Sequence, residues 1–224
     1  MSTREIYCFS LGLSIGISLL TTTSYRRVSP TWLRWLLIVS GILLIAHQLT
    51  LALVINSSSS DHLWALRVLW YLMPMALLFP GIMAIDQLLR HPAMSPKRLL
   101  QWLLPFFGAD IAIMALAQLT VVPDPTVGRM PVLARGWAIS SLALHEAMLI
   151  AAVVACLCLI CKPLPHAMRQ ALWGLTIGLI TLGLAVILLT VTRHWLILPL
   201  SELPMLFALW CAYETSAELQ RSGS

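Results

Sequence analysis

Long apolar stretches separated by short polar connections dominate the pattern of hydrophobic and polar positions along this chain of 224 residues. A run of about 20 apolar residues is long enough to cross the core of a bilayer as an α-helix. Prolines and serines between the runs, as at Ser29-Pro30, mark the connections. We therefore predict membrane-spanning helices over residues 6–23, 32–55, 63–85, 99–122, 137–161, 171–191 and 195–213.

The composition agrees with this pattern, because hydrophobic residues make up 59% of the chain and charged residues only 10%. A soluble domain carries about 25% charged residues, which cover its surface. The chain is therefore predicted to be an all-α membrane protein, with a single seven-transmembrane-helix bundle over residues 1–224 in contact with the lipid bilayer. Its net charge of +5 comes from basic residues scattered at helix ends, so it does not indicate nucleic acid.

The orientation of the bundle follows from the basic residues, which favour the cytoplasmic side of a membrane. The connections and helix ends on one side of the predicted bundle carry more basic residues than those on the other side. These residues are Arg26, Arg27, Arg34, Arg90, Lys97, Arg98, Lys162, Arg169 and Arg221. The opposite side holds Arg4, Arg67, Arg129, Arg135 and Arg193. We predict a multi-pass protein of the cell inner membrane, with its N-terminus outside and its C-terminus cytoplasmic. The long connection between Val122 and Gly136 has room for a short lid.

Polar and ionisable residues inside the predicted spans mark a candidate site, because such groups are costly in lipid and usually face the interior of a bundle. They are His47, Gln48, Arg67, Asp110, Gln118, His145, Glu146, Ser201 and Glu202. Counted from the outer ends of the spans, His47, His145 and Glu202 lie roughly 10–14 Å deep at 1.5 Å per residue. Asp110 is deeper, at roughly 18 Å, whereas Arg67 and Gln118 are shallower, at roughly 6 Å. We predict that these residues line a ligand pocket in the outer half of the membrane.

Two prolines, Pro199 and Pro204, bracket Ser201 and Glu202 in the last predicted span. A proline inside a helix removes a backbone hydrogen bond and frees the carbonyl four residues earlier. Broken helical geometry at membrane depth occurs where the backbone is buried in protein or lines a cavity. The pattern favours a cation or proton site, or a ligand-facing kink, at Glu202. It leaves open a purely structural network in which the kinks shape the bundle.

Glycines four residues apart occur in the first and sixth predicted spans, as Gly12-x-x-x-Gly16 and Gly174-x-x-x-Gly178. Such pairs allow two helix backbones to approach closely. The alternative is that they reflect only the general frequency of glycine in membrane helices.

The third predicted span carries the pattern Trp64-x-x-Arg67-x-x-x-Tyr71-x-x-Pro74 after a polar outer loop. From the second to the fourth span, the chain resembles the seven-helix sensor region at the N-terminus of bacterial histidine kinases. The resemblance implies a receptor-like function with a ligand pocket open to the outer face. Those sensors are fused to kinase or cyclase domains, and no such domain follows the last span of this sequence. The resemblance therefore implies signalling or docking to another membrane or cytoplasmic protein.

A metal-dependent intramembrane hydrolase is an alternative, because His47, Asp110, His145, Glu146 and Glu202 are ligand types that suit zinc, iron or manganese. The adjacent histidine and glutamate are not followed by the second histidine of a zincin motif. A divalent metal is thus a candidate cofactor, but no motif names a reaction.

Haem is the other candidate cofactor. His47 and His145 lie at nearly equal predicted depth on different helices, as a haem with two histidine ligands requires. On this hypothesis, the chain is an accessory subunit of a larger respiratory or photosynthetic membrane complex.

Overall fold

The computed structural model of the protein describes residues 3–56, 73–89, 95–124, 128–192 and 197–222. Within these ranges the chain forms seven α-helices, which are α1 Thr3–Ser24, α2 Thr31–Asn56, α3 Met73–Leu89, α4 Pro96–Leu116, α5 Arg135–Ile160, α6 His166–Thr192 and α7 Ile197–Ser222. A short 3₁₀ turn, Tyr25–Arg27, follows α1. A two-stranded hairpin of β1, Leu119–Asp124, and β2, Gly128–Leu133, separates α4 from α5.

Four helical segments in the described part of the chain are long and apolar enough to cross a membrane. They are Arg4–Arg27, Thr31–Leu53, Arg135–Ile160 and His166–Leu189, and they correspond to α1, α2, α5 and α6. Their exposed faces carry large apolar side chains such as Phe9, Ile150 and Leu184. Exposed apolar surface on this scale is typical of a protein whose solvent is lipid. The prediction of helices long and apolar enough to span a membrane is confirmed at these four positions.

The observed helices and the predicted spans differ mainly at their ends. Residues 63–72, which form the first part of the third predicted span, lie outside the described residues. The helix α7 continues to Ser222, beyond the predicted end at residue 213. Its last turns are polar but rich in residues that favour helices, so hydropathy alone places the end of the helix too early.

The chain between α4 and α5 corrects one predicted boundary. The apolar pattern predicts a helix as far as residue 122, but α4 ends at Leu116 and β1 begins at Leu119. The strands pair antiparallel, with Leu119 opposite Leu133. The prediction was wrong here because a short apolar run is compatible with either a helix end or a strand, and the β-branched residues from Thr120 to Val122 favour the strand. The hairpin occupies part of the connection that was expected to hold a lid.

The core lies where α1, α3 and α6 pack against α7, and α2 packs against both α1 and α3. Fully buried leucines such as Leu172, Leu179 and Leu209 fill this region. The helix α4 differs, because Leu103 and Asp110 are the buried ones among its described side chains. They are seven residues apart and so share the face that α4 turns to the bundle.

The helices α1 and α7 run parallel and are joined by hydroxyl groups. Ser14 Oγ donates to the carbonyl oxygen of Pro199 at 3.2 Å, and Thr21 Oγ1 shares its proton between the carbonyl of Ile17 at 2.8 Å and that of Leu206 at 3.3 Å. Ser14 and Thr21 are seven residues apart, and so are Pro199 and Leu206. The two helices therefore keep the same register over about two turns.

A proline in α3 shows how the bundle satisfies a broken backbone. Pro80 has no N–H, so the carbonyl of Ala76, four residues earlier, loses its helical donor. Ser40 Oγ on α2 donates to that carbonyl at 3.0 Å in a buried contact. An interhelical hydrogen bond therefore replaces the one that proline removes.

The two glycine pairs have different surroundings. A Cβ atom added to Gly178 would lie 2.9 Å from Met205 Cα, and one added to Gly174 would lie 3.7 Å from Ala208 Cβ. The sixth span therefore uses its glycines to approach α7. A Cβ added to Gly12 or Gly16 would meet nothing within 4 Å of the described chain. Close packing at the glycine pair is thus observed for α6, and among the described residues it is not observed for α1.

Candidate functional site

Glu202 on α7 lies at the centre of a polar cluster shared with α2. Gln48 Nε2 donates to Glu202 Oε2 at 2.9 Å, and His47 Nε2 lies 3.6 Å from Glu202 Oε1. All three residues are 0% exposed. A carboxylate removed from water to this extent is stable only with polar or charged neighbours. The structure thus brings together three of the predicted pocket residues.

The carboxylate also fixes the orientation of the Gln48 amide. An ionised carboxylate only accepts hydrogen bonds, so the NH₂ end of the amide must face Glu202. The amide oxygen, Gln48 Oε1, then points elsewhere, and it is buried without a hydrogen-bond partner. Glu202 Oε1 is likewise buried without a hydrogen bond. The cluster therefore presents two acceptor oxygens without a hydrogen bond, one of which, Glu202 Oε1, faces His47 Nε2 at 3.6 Å.

A second buried pair joins α4 to α5. His145 Nε2 lies 3.1 Å from Asp110 Oδ2, and the side chains are 5% and 1% exposed. The remaining oxygen, Asp110 Oδ1, is buried without a hydrogen-bond partner. Sequence depth placed Asp110 below His145, but the two side chains are in direct contact. The pair provides the basic partner of Asp110 that sequence reasoning did not identify.

Glu146, the next residue on α5, faces α6. A Cβ added to Gly183 would lie 3.1 Å from Glu146 Oε2, so the absence of a side chain at Gly183 makes room for the carboxylate. Glu146 is half-buried, and its Oε1 atom is buried without a hydrogen-bond partner. Adjacent positions on α5 therefore direct their polar groups to two different helices.

The other predicted pocket residues have different positions. Ser201 is buried, but its hydroxyl donates to the carbonyl of Leu198 on the same helix at 2.8 Å. The side chain of Gln118 is exposed, and its backbone carbonyl accepts from Ala134 N at 2.9 Å where the hairpin closes. Arg67 lies outside the described residues.

The prolines of α7 do not act on Glu202 in the predicted way. Pro204 lies inside the helix and frees the carbonyl of Leu200. The Leu200 side chain is 43% exposed, and its position is about 200° around the helix from Glu202. Pro199 is the third described residue of α7, and the carbonyl four residues before it lies outside the described residues. The freed carbonyl therefore belongs to the opposite face, and Glu202 is held by side chains of α2.

The geometry bears on the two candidate cofactors. Among the described residues, no group of three or more histidine, cysteine, aspartate or glutamate side chains is arranged to hold a metal ion. The Nε2 atoms of His47 and His145 face Glu202 and Asp110, respectively. Histidine usually binds metal through one nitrogen while the other donates to an outer partner. These contacts arrange the polar residues as separate pairs.

A row of hydroxyl residues on α1 was missed by sequence reasoning. Ser10, Ser14, Ser18 and Thr21 are all buried. Their spacing places them on one face, and this spacing is the signal that could have identified them. Ser14 and Thr21 bind the backbone of α7, whereas Ser18 Oγ is buried without a hydrogen-bond partner.

Similarity to other proteins offers no further assignment of these residues. No family model matches the chain, and no curated protein or solved structure matches it.

Proposed function

We propose that the chain is a seven-span inner-membrane protein that senses a small ligand through the Glu202 cluster and signals to a partner protein. In this proposal the N-terminus is outside, the C-terminus is cytoplasmic, and the cluster lies in the outer half of the membrane. The observation that carries the proposal is Glu202 itself, which is fully buried against His47 and Gln48 while one carboxylate oxygen lacks a hydrogen bond.

The chemistry of the cluster supports a ligand with hydrogen-bond donors or positive charge. Buried polar groups in proteins nearly always have partners, and a buried acceptor without one is costly. Glu202 Oε1 and Gln48 Oε1 are such acceptors. A small polar molecule that donates to both would therefore gain binding energy from oxygens that have already been removed from water.

The continuity of α7 supports transmission of a signal. Glu202 and Tyr213 lie on the same helix, about 16 Å apart along its axis at 1.5 Å per residue. Tyr213 Oη donates to the carbonyl of Pro80 on α3 at 2.9 Å, and Glu214 forms an ion pair with Arg27 after α1. A displacement of α7 at the cluster would therefore change contacts with α1 and α3 at the other end.

The experiment is a thermal-unfolding screen of the purified protein in detergent against small amines, polar compounds and amphipathic compounds. At least one chemical class should raise the Tm of the parent, because a ligand that binds only the folded state stabilises it. Glu202→Gln should lose that shift. The matched control is Glu218→Gln, which makes the same chemical change at an exposed position of α7 and should keep the shift.

Hydrogen–deuterium exchange separates sensing from simple binding. The ligand should change the exchange of residues 214–222 at the far end of α7. A ligand that stabilises the protein through Glu202 but leaves this segment unchanged would contradict the receptor function. A compound that stabilises the parent and Glu202→Gln equally binds somewhere else.

A further inference from the structure

Three buried polar atoms that lack a hydrogen-bond partner come from three helices that meet beside Glu202. They are Ser18 Oγ on α1, Gln48 Oε1 on α2 and Glu202 Oε1 on α7. Their side chains are 1%, 0% and 0% exposed, respectively. Gln48 contacts Glu202 directly, and the position of Ser18 follows from the register of α1 and α7.

The two hydroxyl contacts between α1 and α7 define that register. Ser14 is paired with Pro199 and Thr21 with Leu206, so Ser18 and Glu202 both lie between the two contacts. From the first contact, Ser18 is about 6 Å along α1 and Glu202 about 4.5 Å along α7, at 1.5 Å per residue. Steps of three and four residues also keep Ser18 and Glu202 on the faces that carry the contacts. The register therefore places Ser18 and Glu202 at nearly the same height on neighbouring helices.

The hydroxyl of Ser18 behaves differently from its neighbours. Ser10, Thr21 and Thr22 on α1 all donate to the carbonyl four residues earlier, which is the usual arrangement for a hydroxyl in an apolar helix. Ser18 Oγ makes no such bond. Its oxygen is therefore available to the junction of α1, α2 and α7.

We infer that this junction binds a monovalent metal cation, such as sodium, through Ser18 Oγ, Gln48 Oε1 and Glu202 Oε1. Hard cations prefer oxygen ligands, and a hydroxyl, an amide carbonyl and a carboxylate supply three different kinds. One carboxylate balances one positive charge when the imidazole of His47, 3.6 Å from Glu202 Oε1, is neutral. Because the amide NH₂ of Gln48 is held by the other carboxylate oxygen, its carbonyl is fixed as an acceptor.

Three competing occupants fit the atoms less well. Calcium takes six to eight oxygen ligands, often from several carboxylates, and magnesium usually retains several waters. Glu202 is the carboxylate that the described contacts bring to this junction. A proton on Glu202 would neutralise the carboxylate but would leave Gln48 Oε1 as an acceptor without a donor.

The inference rests on the proposed function only for the location of the pocket, and not for the signal. The purified protein in detergent is titrated with sodium chloride at constant ionic strength, using N-methyl-D-glucamine chloride as the replacement salt. The Tm should rise with sodium concentration and then follow the logarithm of that concentration, as expected for binding to the folded state. Glu202→Gln should abolish the rise, and Ser18→Ala should weaken the apparent sodium affinity by about tenfold.

Ser14→Ala is the matched control, because Ser14 lies on the same face of α1 and donates to α7 instead of the junction. It should keep the sodium affinity of the parent. If Glu202→Gln does not fold, the comparison of Ser18→Ala with Ser14→Ala decides the matter. A Tm that is independent of sodium, or a sodium effect unchanged in Ser18→Ala, overturns the cation site. If sodium binds but no ligand changes the hydrogen–deuterium exchange of residues 214–222, only the proposed receptor function is contradicted.

Discussion

The Asp110–His145 pair gives a direct test of how α4 is held on the bundle. Asp110 is one of the two buried residues among the described side chains of α4, and its Oδ2 atom lies 3.1 Å from His145 Nε2 on α5. We compare Asp110→Leu, His145→Leu and the double variant. Each single change leaves one buried polar group without its partner, whereas the double change leaves neither.

The magnitudes follow from this asymmetry. Removing one partner of a buried hydrogen bond costs about 1–3 kcal/mol, because the remaining group keeps its desolvation penalty. Replacing both partners by apolar residues of similar size is often close to neutral. Each single variant should therefore lower the free energy of unfolding by about 1–3 kcal/mol. The double variant should lose less than about 1 kcal/mol, so the two changes are strongly non-additive.

The assay combines equilibrium unfolding in mild detergent with hydrogen–deuterium exchange. Exchange should rise within residues 96–116 in the single variants and return toward the parent rate in the double variant. Segments of α6 and α7 should stay protected, since among the described residues these two helices pack mainly against each other and against α1, α3 and α5. Ala109→Leu is the control, because it adds similar apolar bulk at an exposed position of α4. A double variant as unstable as the sum of the singles would refute the view that the pair is coupled.

Three further predictions concern the helix contacts and the orientation. Ser40→Ala should lower the free energy of unfolding by about 1–3 kcal/mol. In a Pro80→Ala background the loss should be smaller, because the restored backbone N–H binds the carbonyl of Ala76. Equal losses in both backgrounds would exclude this role of Ser40. Gly178→Ala should lower the Tm because its Cβ would meet the backbone of α7, whereas Gly12→Ala should leave the Tm unchanged or raise it; equal effects of the two changes would contradict the packing. A reporter fused after Ser222 should be active in its cytoplasmic form, and periplasmic activity would reverse the proposed orientation.

The sequence predicted several membrane helices well, because their apolar runs are long and the rise per residue is fixed. The hydropathic segments of α1, α2, α5 and α6 agree with predicted spans to within a few residues. The hydrophobic pattern predicted the wrong structure at the end of α4, where the chain continues as a β-hairpin. A short apolar run with β-branched residues does not by itself distinguish strand from helix.

The sequence predicts a depth for each polar residue, but it does not predict their partners. His47 and His145 have similar predicted depth and suggested one pocket or one haem. The structure pairs them with Glu202 and Asp110 on different helices. Which face a residue turns to which neighbour depends on the order in which the helices pack, and depth along the membrane normal does not contain that information.

The balance of donors and acceptors bears on whether these residues form a structural network or a binding site. A network that only holds helices together is expected to satisfy its buried groups, because each unpaired one is costly. Gln48, Asp110, Glu146 and Glu202 each retain a buried oxygen without a hydrogen bond. These four atoms are acceptors, whereas the donor-capable groups near the Glu202 cluster are the Ser18 hydroxyl and His47 Nε2, which lies 3.6 Å from Glu202 Oε1. A group that is positively charged or donates hydrogen bonds would satisfy the four acceptors, and this favours a binding site over a purely structural network.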